Sequence, residues 1–332
     1  MYPFFRSVSK YVISVYVSCG QRLSSLVRLN ELFYRYNILE FIISVSACVS
    51  DPAPLQFMSV YTGCCIGEWF RDMGLNSLVM YDDLTKHSMS YRQMSLLLRR
   101  SPGREAYPGD IFYSHARLLE RAAQLSQALG WGSLTALPIV ETQSGDISAF
   151  IPTNIISITD GQLFLSTDIF FKGIRPAIDL TLSVSRVGGD AQKKYFKMLS
   201  LTLKEKLIFY KEVSSFSQFG GDVSGDKKWM ESLEFGNKVM KLLNQEIINL
   251  YSIEEQFILI YAHIQGYMRN VPFENVNCFS KFILWYFKYF EPKLYPGSIS
   301  LFSLLTLYFN KNIELRLIRG LFFLTMYYKK LN

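Results

Sequence analysis

From Tyr11 to Leu165 the chain alternates short apolar runs with longer amphipathic stretches. Tyr11–Cys19, Glu40–Val49, Ser77–Asp82, Leu134–Val140 and Ile155–Leu165 are rich in Val, Ile and aromatic residues and are bounded by turn residues, which predicts strands. Helices are predicted between them, over Ser24–Tyr36, Pro54–Met73, Asp83–Arg99 and Phe112–Ala128. Alternation of this kind implies an α/β domain with a mostly parallel sheet and helices on both faces. Beyond Asp190 the period becomes helical, over Ala191–Ser217, Lys227–Asn244, Ile253–Arg269, Phe279–Phe290 and Leu301–Lys330. Gly220, Gly221, Gly225, Pro272, Pro292 and Pro296 punctuate these segments, so the second region reads as an all-α bundle. KFILWYFKYF, from Lys281 to Phe290, is apolar nearly all round, which implies burial against other helices or a partner.

Composition places the domain boundary. The formal net charge of +7 is uneven: residues 1–189 carry 16 basic and 15 acidic residues, whereas residues 190–332 carry 19 and 13. The basic residue type also switches, from 13 Arg and 3 Lys to 3 Arg and 16 Lys, so domains are expected at 1–189 and 190–332. Lysines spaced along helices read as a solvated face, and no nucleic-acid partner is expected. The apolar runs fall short of the ~20 residues that a membrane span needs. Five cysteines in an odd set, with no CxxC pair, fit a reduced compartment and argue against a zinc site. His87, His115 and His263 are scattered, without ligand-like spacing, and are assigned no chemistry. MYPFFRSVSKYV has neither a long apolar segment nor an Arg- and Ser-rich amphipathic helix, which argues against a targeting peptide.

Four motifs carry the chemistry. Leu78-Val79-Met80-Tyr81-Asp82-Asp83 describes a buried strand that delivers a carboxylate to the carboxyl edge of the sheet, where nucleotide and Mg²⁺ sites form. A helix cap at Asp83 is the competing structural reading. The companion GxxxxGK[ST] loop is absent from these 332 residues. Its nearest imitation, Gly220 to Lys227, has Asp at the Lys position and reads as a polar loop. The other motifs are YVISVYVSCGQR (Tyr11–Arg22), LLLRRSPGREAYPGDIFYSHARLLERAA (Leu96–Ala123) and SVSRVGG (Ser183–Gly189).

These motifs, with IEEQFILIYAHIQGY (Ile253–Tyr267), resemble the alpha subunit of the F-type ATP synthase. The resemblance implies the carboxy-terminal part of a RecA-like nucleotide-binding domain, lacking the phosphate loop and amino-terminal barrel, followed by a helical domain. It implies a non-catalytic site for Mg-ATP or Mg-ADP. Asp82 would hold Mg²⁺ through water, Arg175 and Pro176 in KGIRPA would border the adenine, and Gln245 would contact the base. Gln21 stands where the catalytic beta subunit carries the Glu that polarises water, and an amide cannot accept a proton as a carboxylate can. Ile247 replaces a second family Gln, which weakens that side of the adenine contacts.

Arg186 matches the family's arginine finger, which reaches across the interface to the beta site, and Ser157 matches a Ser lining that interface. The implied partners are a separate amino-terminal fragment carrying the phosphate loop, beta subunits in an α₃β₃ ring, the gamma central stalk and the peripheral stalk. The membrane is reached only through the complex. A split gene and a cleaved precursor both explain the missing part, and the initiator Met1 favours the split gene; an aromatic-rich split subunit suggests an organellar product on the matrix side of the mitochondrial inner membrane, with a bacterial source as the alternative. A hexameric nucleic-acid translocase and a purely structural fragment are the alternatives; an autonomous NTPase lacks both loop and base.

Overall fold

The computed structural model describes residues 12–192, 194–218, 227–245, 251–269 and 271–290. They fall into two compact units, divided between Asp160 and Gly161. The expected helix Leu301–Lys330, Ile247, and all but the last residue of the Gly220–Lys227 loop lie outside the described residues.

The first unit holds β1 (Val12–Gln21), α1 (Leu23–Arg35), β2 (Ile42–Cys48), α2 (Ala53–Asp72), β3 (Asn76–Asp82), α3 (Leu84–Leu97), α4 (Ile111–Leu119), β4 (Ser133–Pro138) and α5 (Phe150–Ile158). The four strands form one parallel sheet in the order β2-β1-β3-β4. Alternation along β1 and β3 divides the faces. Val15, Val17 and Cys19, with Val79 and Tyr81, are buried on one side beneath α2. On the other side Tyr16 packs edge-on against Phe33 of α1. α2 sits close to the sheet because two glycines face it: a Cβ on Gly63 would fall 2.1 Å from a Val17 methyl, and one on Gly67 would fall 2.5 Å from a Val79 methyl.

Two predicted elements of this unit differ, and in the second unit the predicted helix Ile253–Arg269 ends at Ile264. Ile155–Leu165 is not a strand: α5 takes Phe150–Ile158, Gly161–Gln162 forms a two-residue strand, and Leu165 makes a single bridge to Ile178. Its β-branched run favours a strand locally, but Ile151 and Ile155, four apart, both bury against the sheet core, and that helical spacing prevails. α4 stops at Leu119 instead of running to Ala128. Beyond it the backbone folds back on β4, with Leu125 N–H donating to Gly132 O (2.8 Å) and Leu134 N–H to Ala123 O (3.0 Å), bonds that a continued helix would forfeit.

His87 and His115 are buried in this unit, 5.6 Å apart between ring centres. His115 Nε2 bonds Ser88 Oγ at 3.1 Å, whereas neither ring nitrogen of His87, stacked on Phe57, has a partner among the described residues. Burial lowers His87 to about 3, with the neighbouring His115 as a second cause, and burial lowers His115 to about 4. The folded state therefore binds fewer protons than the unfolded state below the ordinary His value of ~6.5. Stability is complete above that pH and falls as pH drops toward 4, by up to ~1.4 kcal/mol per pH unit for each ring. Thermal unfolding scanned from pH 7.5 to 5 should show this loss, and His87→Phe should flatten it.

The second unit contains β5 (Gly161–Gln162), α6 (Thr167–Phe171), β6 (Val184–Ser185), α7 (Gly188–Ala191), α8 (Lys194–Gln218), α9 (Lys227–Leu243), α10 (Ile253–Ile264) and α11 (Val276–Phe290). β5 and β6 pair antiparallel. Lys211 of α8 ties this segment down through an ion pair with Asp179 at 2.8 Å. Ser252 and Glu255 cap α10 reciprocally, as the S-x-x-E spacing dictates. On α11, Phe279, Ile283 and Phe287 recur every four residues and bury against Phe257, Ile258 and Met268, while Trp285 faces outward. Among the described residues no helix is long and apolar enough to cross a membrane.

Candidate nucleotide site

Parallel strands bring their carboxyl ends to one edge, and in the first unit that edge collects Gln21, Cys48, Asp82 and Pro138. Asp82, the last residue of β3, is half-buried and lies in register with Ser18 of β1. Gln21 Nε2 donates to its Oδ1 at 2.8 Å, and the Tyr16 hydroxyl donates to its Oδ2 at 2.5 Å. Burial, then the hydrogen bond to Asp82 and its charge, hold the Tyr16 phenol well above its ordinary value, so it stays a donor. Asp83 takes the cap role instead: it is buried, accepts from the backbone N–H of Lys86 at 2.7 Å and pairs with the Lys86 ammonium at 3.0 Å. The two adjacent carboxylates thus have separate tasks, and capping α3 leaves Asp82 at the strand end.

Gly20 precedes Gln21 with φ +69°, a conformation that glycine adopts without strain, and a Cβ there would press on the Lys86 side chain at 3.0 Å. Gln56 of α2 braces the neighbouring loop by donating to Cys48 O and Asp51 O and accepting from Ser90 Oγ. The Cys19 thiol beneath is pushed up to about 12 by burial and then by the charge of Asp83, so it behaves as a buried apolar group.

Asp82 suits a magnesium ion of a nucleotide. Mg²⁺ keeps several waters and is held by one or two carboxylates together with substrate phosphates, not by an all-protein cage. Two of the four lone-pair sites of the Asp82 carboxylate are used by Gln21 and Tyr16, and two remain. Among the described residues no three His, Cys, Asp or Glu side chains converge into a metal-holding group of their own.

The remaining predicted residues belong to other places in the fold. In the second unit Arg175, Pro176 and Gln245 come together although 70 positions separate Arg175 from Gln245: Gln245 N–H donates to Arg175 O at 2.9 Å, and Asn244 Oδ1 accepts from Arg175 N–H at 3.2 Å. The Arg175 guanidinium lies over the Phe170 ring at 4.8 Å, and the Arg175–Pro176 peptide is cis. Arg186 is exposed just past β6, where Ser185 Oγ accepts from Gly188 N–H and shapes the turn. Ser157 sits on α5 of the first unit, exposed, and its hydroxyl donates to Asn154 O at 2.6 Å, the ordinary satisfaction of a helical serine. Tyr16 was not anticipated by the sequence reading, although its place on the same face of the sheet as Asp82 follows from the alternation Ser14, Tyr16, Ser18.

An α/β unit with a carboxylate at its sheet edge, followed by a helical unit, is the class of protein that this geometry defines. Residues 4–185 match the nucleotide-binding domain of the ATP synthase alpha/beta family, and residues 192–297 match the C-terminal domain of the ATP synthase alpha/beta chain. The chain belongs to the ATP synthase alpha/beta family. It is 52% identical over 270 residues to "ATP synthase subunit alpha" of Aquifex aeolicus (strain VF5), covering 81% of this chain and 53% of that one. It is 48% identical over 279 residues to "ATP synthase subunit alpha" of Lawsonia intracellularis (strain PHE/MN1-00), covering 84% and 55%. The chain spans about half the length of these curated relatives.

Proposed function

We propose that the chain is the carboxy-terminal part of a non-catalytic alpha subunit in the head of a proton-translocating F-type ATP synthase, with domains at 1–189 and 190–332. It binds Mg-ATP or Mg-ADP without hydrolysing it and supplies Arg186 to the catalytic site of an adjacent beta subunit. The observation that carries this reading is the edge formed by Gln21 and Asp82. A carboxylate stands ready for a cation, while the position at which hydrolysis would need a base holds an amide already engaged with that carboxylate.

In this reading Asp82 holds the cation through water, and Arg175, Pro176 and Gln245 border the adenine. Bound magnesium shields the phosphate charges. Arg186 is exposed on a turn and acts on the neighbouring subunit, and Ser157 lines the same interface. The phosphate loop is absent from these 332 residues. Beta subunits, the gamma stalk and the peripheral stalk complete the assembly, and the membrane is met only through the complex. The proposed compartment is the matrix side of the mitochondrial inner membrane, supported by an aromatic-rich chain with 26 Phe and 21 Tyr. Both named relatives are bacterial, and fractionation to a bacterial plasma membrane is the alternative outcome.

Nucleotide retention tests the site. The assembled complex should carry nucleotide through gel filtration in Mg²⁺, and Asp82→Ala should release it. Retention unaffected by Asp82→Ala would remove the cation role from that residue.

A further inference from the structure

We propose that Tyr16 and the side-chain amide of Gln21 form a two-donor clamp that fixes the Asp82 carboxylate, which makes Tyr16 a positioning residue for the divalent cation of the nucleotide site; this rests on the reading of Asp82 given above. Each carboxylate oxygen receives one donor, Tyr16 Oη on Oδ2 at 2.5 Å and Gln21 Nε2 on Oδ1 at 2.8 Å. With both oxygens tethered, the carboxylate cannot rotate about its bond to Cβ without breaking a charge-assisted hydrogen bond. The lone pairs left over therefore keep one direction, which is what a cation shell that tolerates only near-octahedral geometry requires.

The clamp is itself held. The Tyr16 ring stands edge-on to Phe33 of α1, with centroids 6.3 Å apart, and in the β1–β3 register Tyr16 lies opposite Met80, two residues before Asp82. The phenol spans that offset along the strand. Ser18 lies directly opposite Asp82, yet its buried hydroxyl has no hydrogen-bond partner among the described residues. The longer side chain, not the nearer one, makes the bond.

The second arm explains the residue type at position 21. An amide presents N–H donors to the Asp82 oxygen; a carboxylate there would bring two like charges to hydrogen-bonding distance, which disfavours ionisation of both. Gln21 is thus matched to the carboxylate that it faces. Gln21→Leu, which removes the donor without adding a charge, should weaken the cation site.

The test is a Mg²⁺ titration of nucleotide retention by the assembled complex carrying Tyr16→Phe, Gln21→Leu or Asp82→Ala in this chain, with EDTA as the metal-free baseline. Loss of one support around a metal ligand typically costs 10- to 100-fold in metal affinity, so Tyr16→Phe and Gln21→Leu should each raise the Mg²⁺ midpoint by about 10-fold or more and leave retention in EDTA unchanged. Midpoints at the wild-type value in both variants, alongside a raised midpoint in Asp82→Ala, would overturn the clamp alone. A wild-type midpoint in Asp82→Ala would overturn the cation reading and the clamp with it. A lowered thermal midpoint in Tyr16→Phe without a shifted Mg²⁺ midpoint would leave Tyr16 a packing role and contradict the proposal.

Discussion

Replacing Arg186 with alanine should reduce ATP hydrolysis by the assembled complex about 10³-fold or more, because an arginine supplied across an interface stabilises charge that develops only in the transition state. The loss should appear in kcat, with little change in KM. Arg186 lies exposed beyond a two-residue strand and outside both core clusters. Arg186→Lys keeps the charge but not the planar fork of donors, and should recover only part of the rate. The check is steady-state ATPase on purified complexes of matched subunit content. Wild-type turnover in Arg186→Ala would remove the arginine-finger role.

Gly63→Ala should destabilise the first unit even though alanine is the better helix former. Propensity alone favours the substitution by about 1 kcal/mol in a helix interior. Packing opposes it: the new methyl would sit 2.1 Å from a Val17 methyl, nearer than non-bonded carbons approach, and the nearest relief is to lift α2 off the sheet. That movement would also loosen the contact of Gly67 with Val79 and Leu134. Overpacking in a tight core costs typically 1 to 3 kcal/mol and occasionally more, so a net loss of about 1 kcal/mol is expected. Chemical unfolding of the complex, followed by a probe in this unit, reads the sign directly. A stabilised variant would show that α2 does not pack on β1 as described.

These two cases also mark what the chain discloses before it is folded. The strand–helix alternation placed β1 to β4, α2 and α3 within a few residues, since apolar runs that bury on two faces leave a pattern independent of their neighbours. Asp82 at the end of β3 followed from the same pattern. Where competing interactions decide, the sequence was silent. The β-branched Ile155-Ile156-Ser157-Ile158 run suits a strand, and only its packing partners make it a helix. The end of α4 is set by backbone bonds to Gly132 and Leu134, residues distant in the sequence. The meeting of Arg175 with Gln245 across 70 positions has no local signature; the resemblance anticipated a shared neighbourhood, but no periodicity implies it. Tyr16 on Asp82 required the β1–β3 register, which fixes which side chains share a face and an edge.

The most direct test of the central claim is gentle isolation of this chain from its native source, with mass spectrometry of the accompanying polypeptides and an ATPase assay on the same fractions. The account predicts recovery with beta and gamma subunits and with Mg²⁺-dependent ATPase. Recovery of the chain alone, or with RNA in its place, would contradict it.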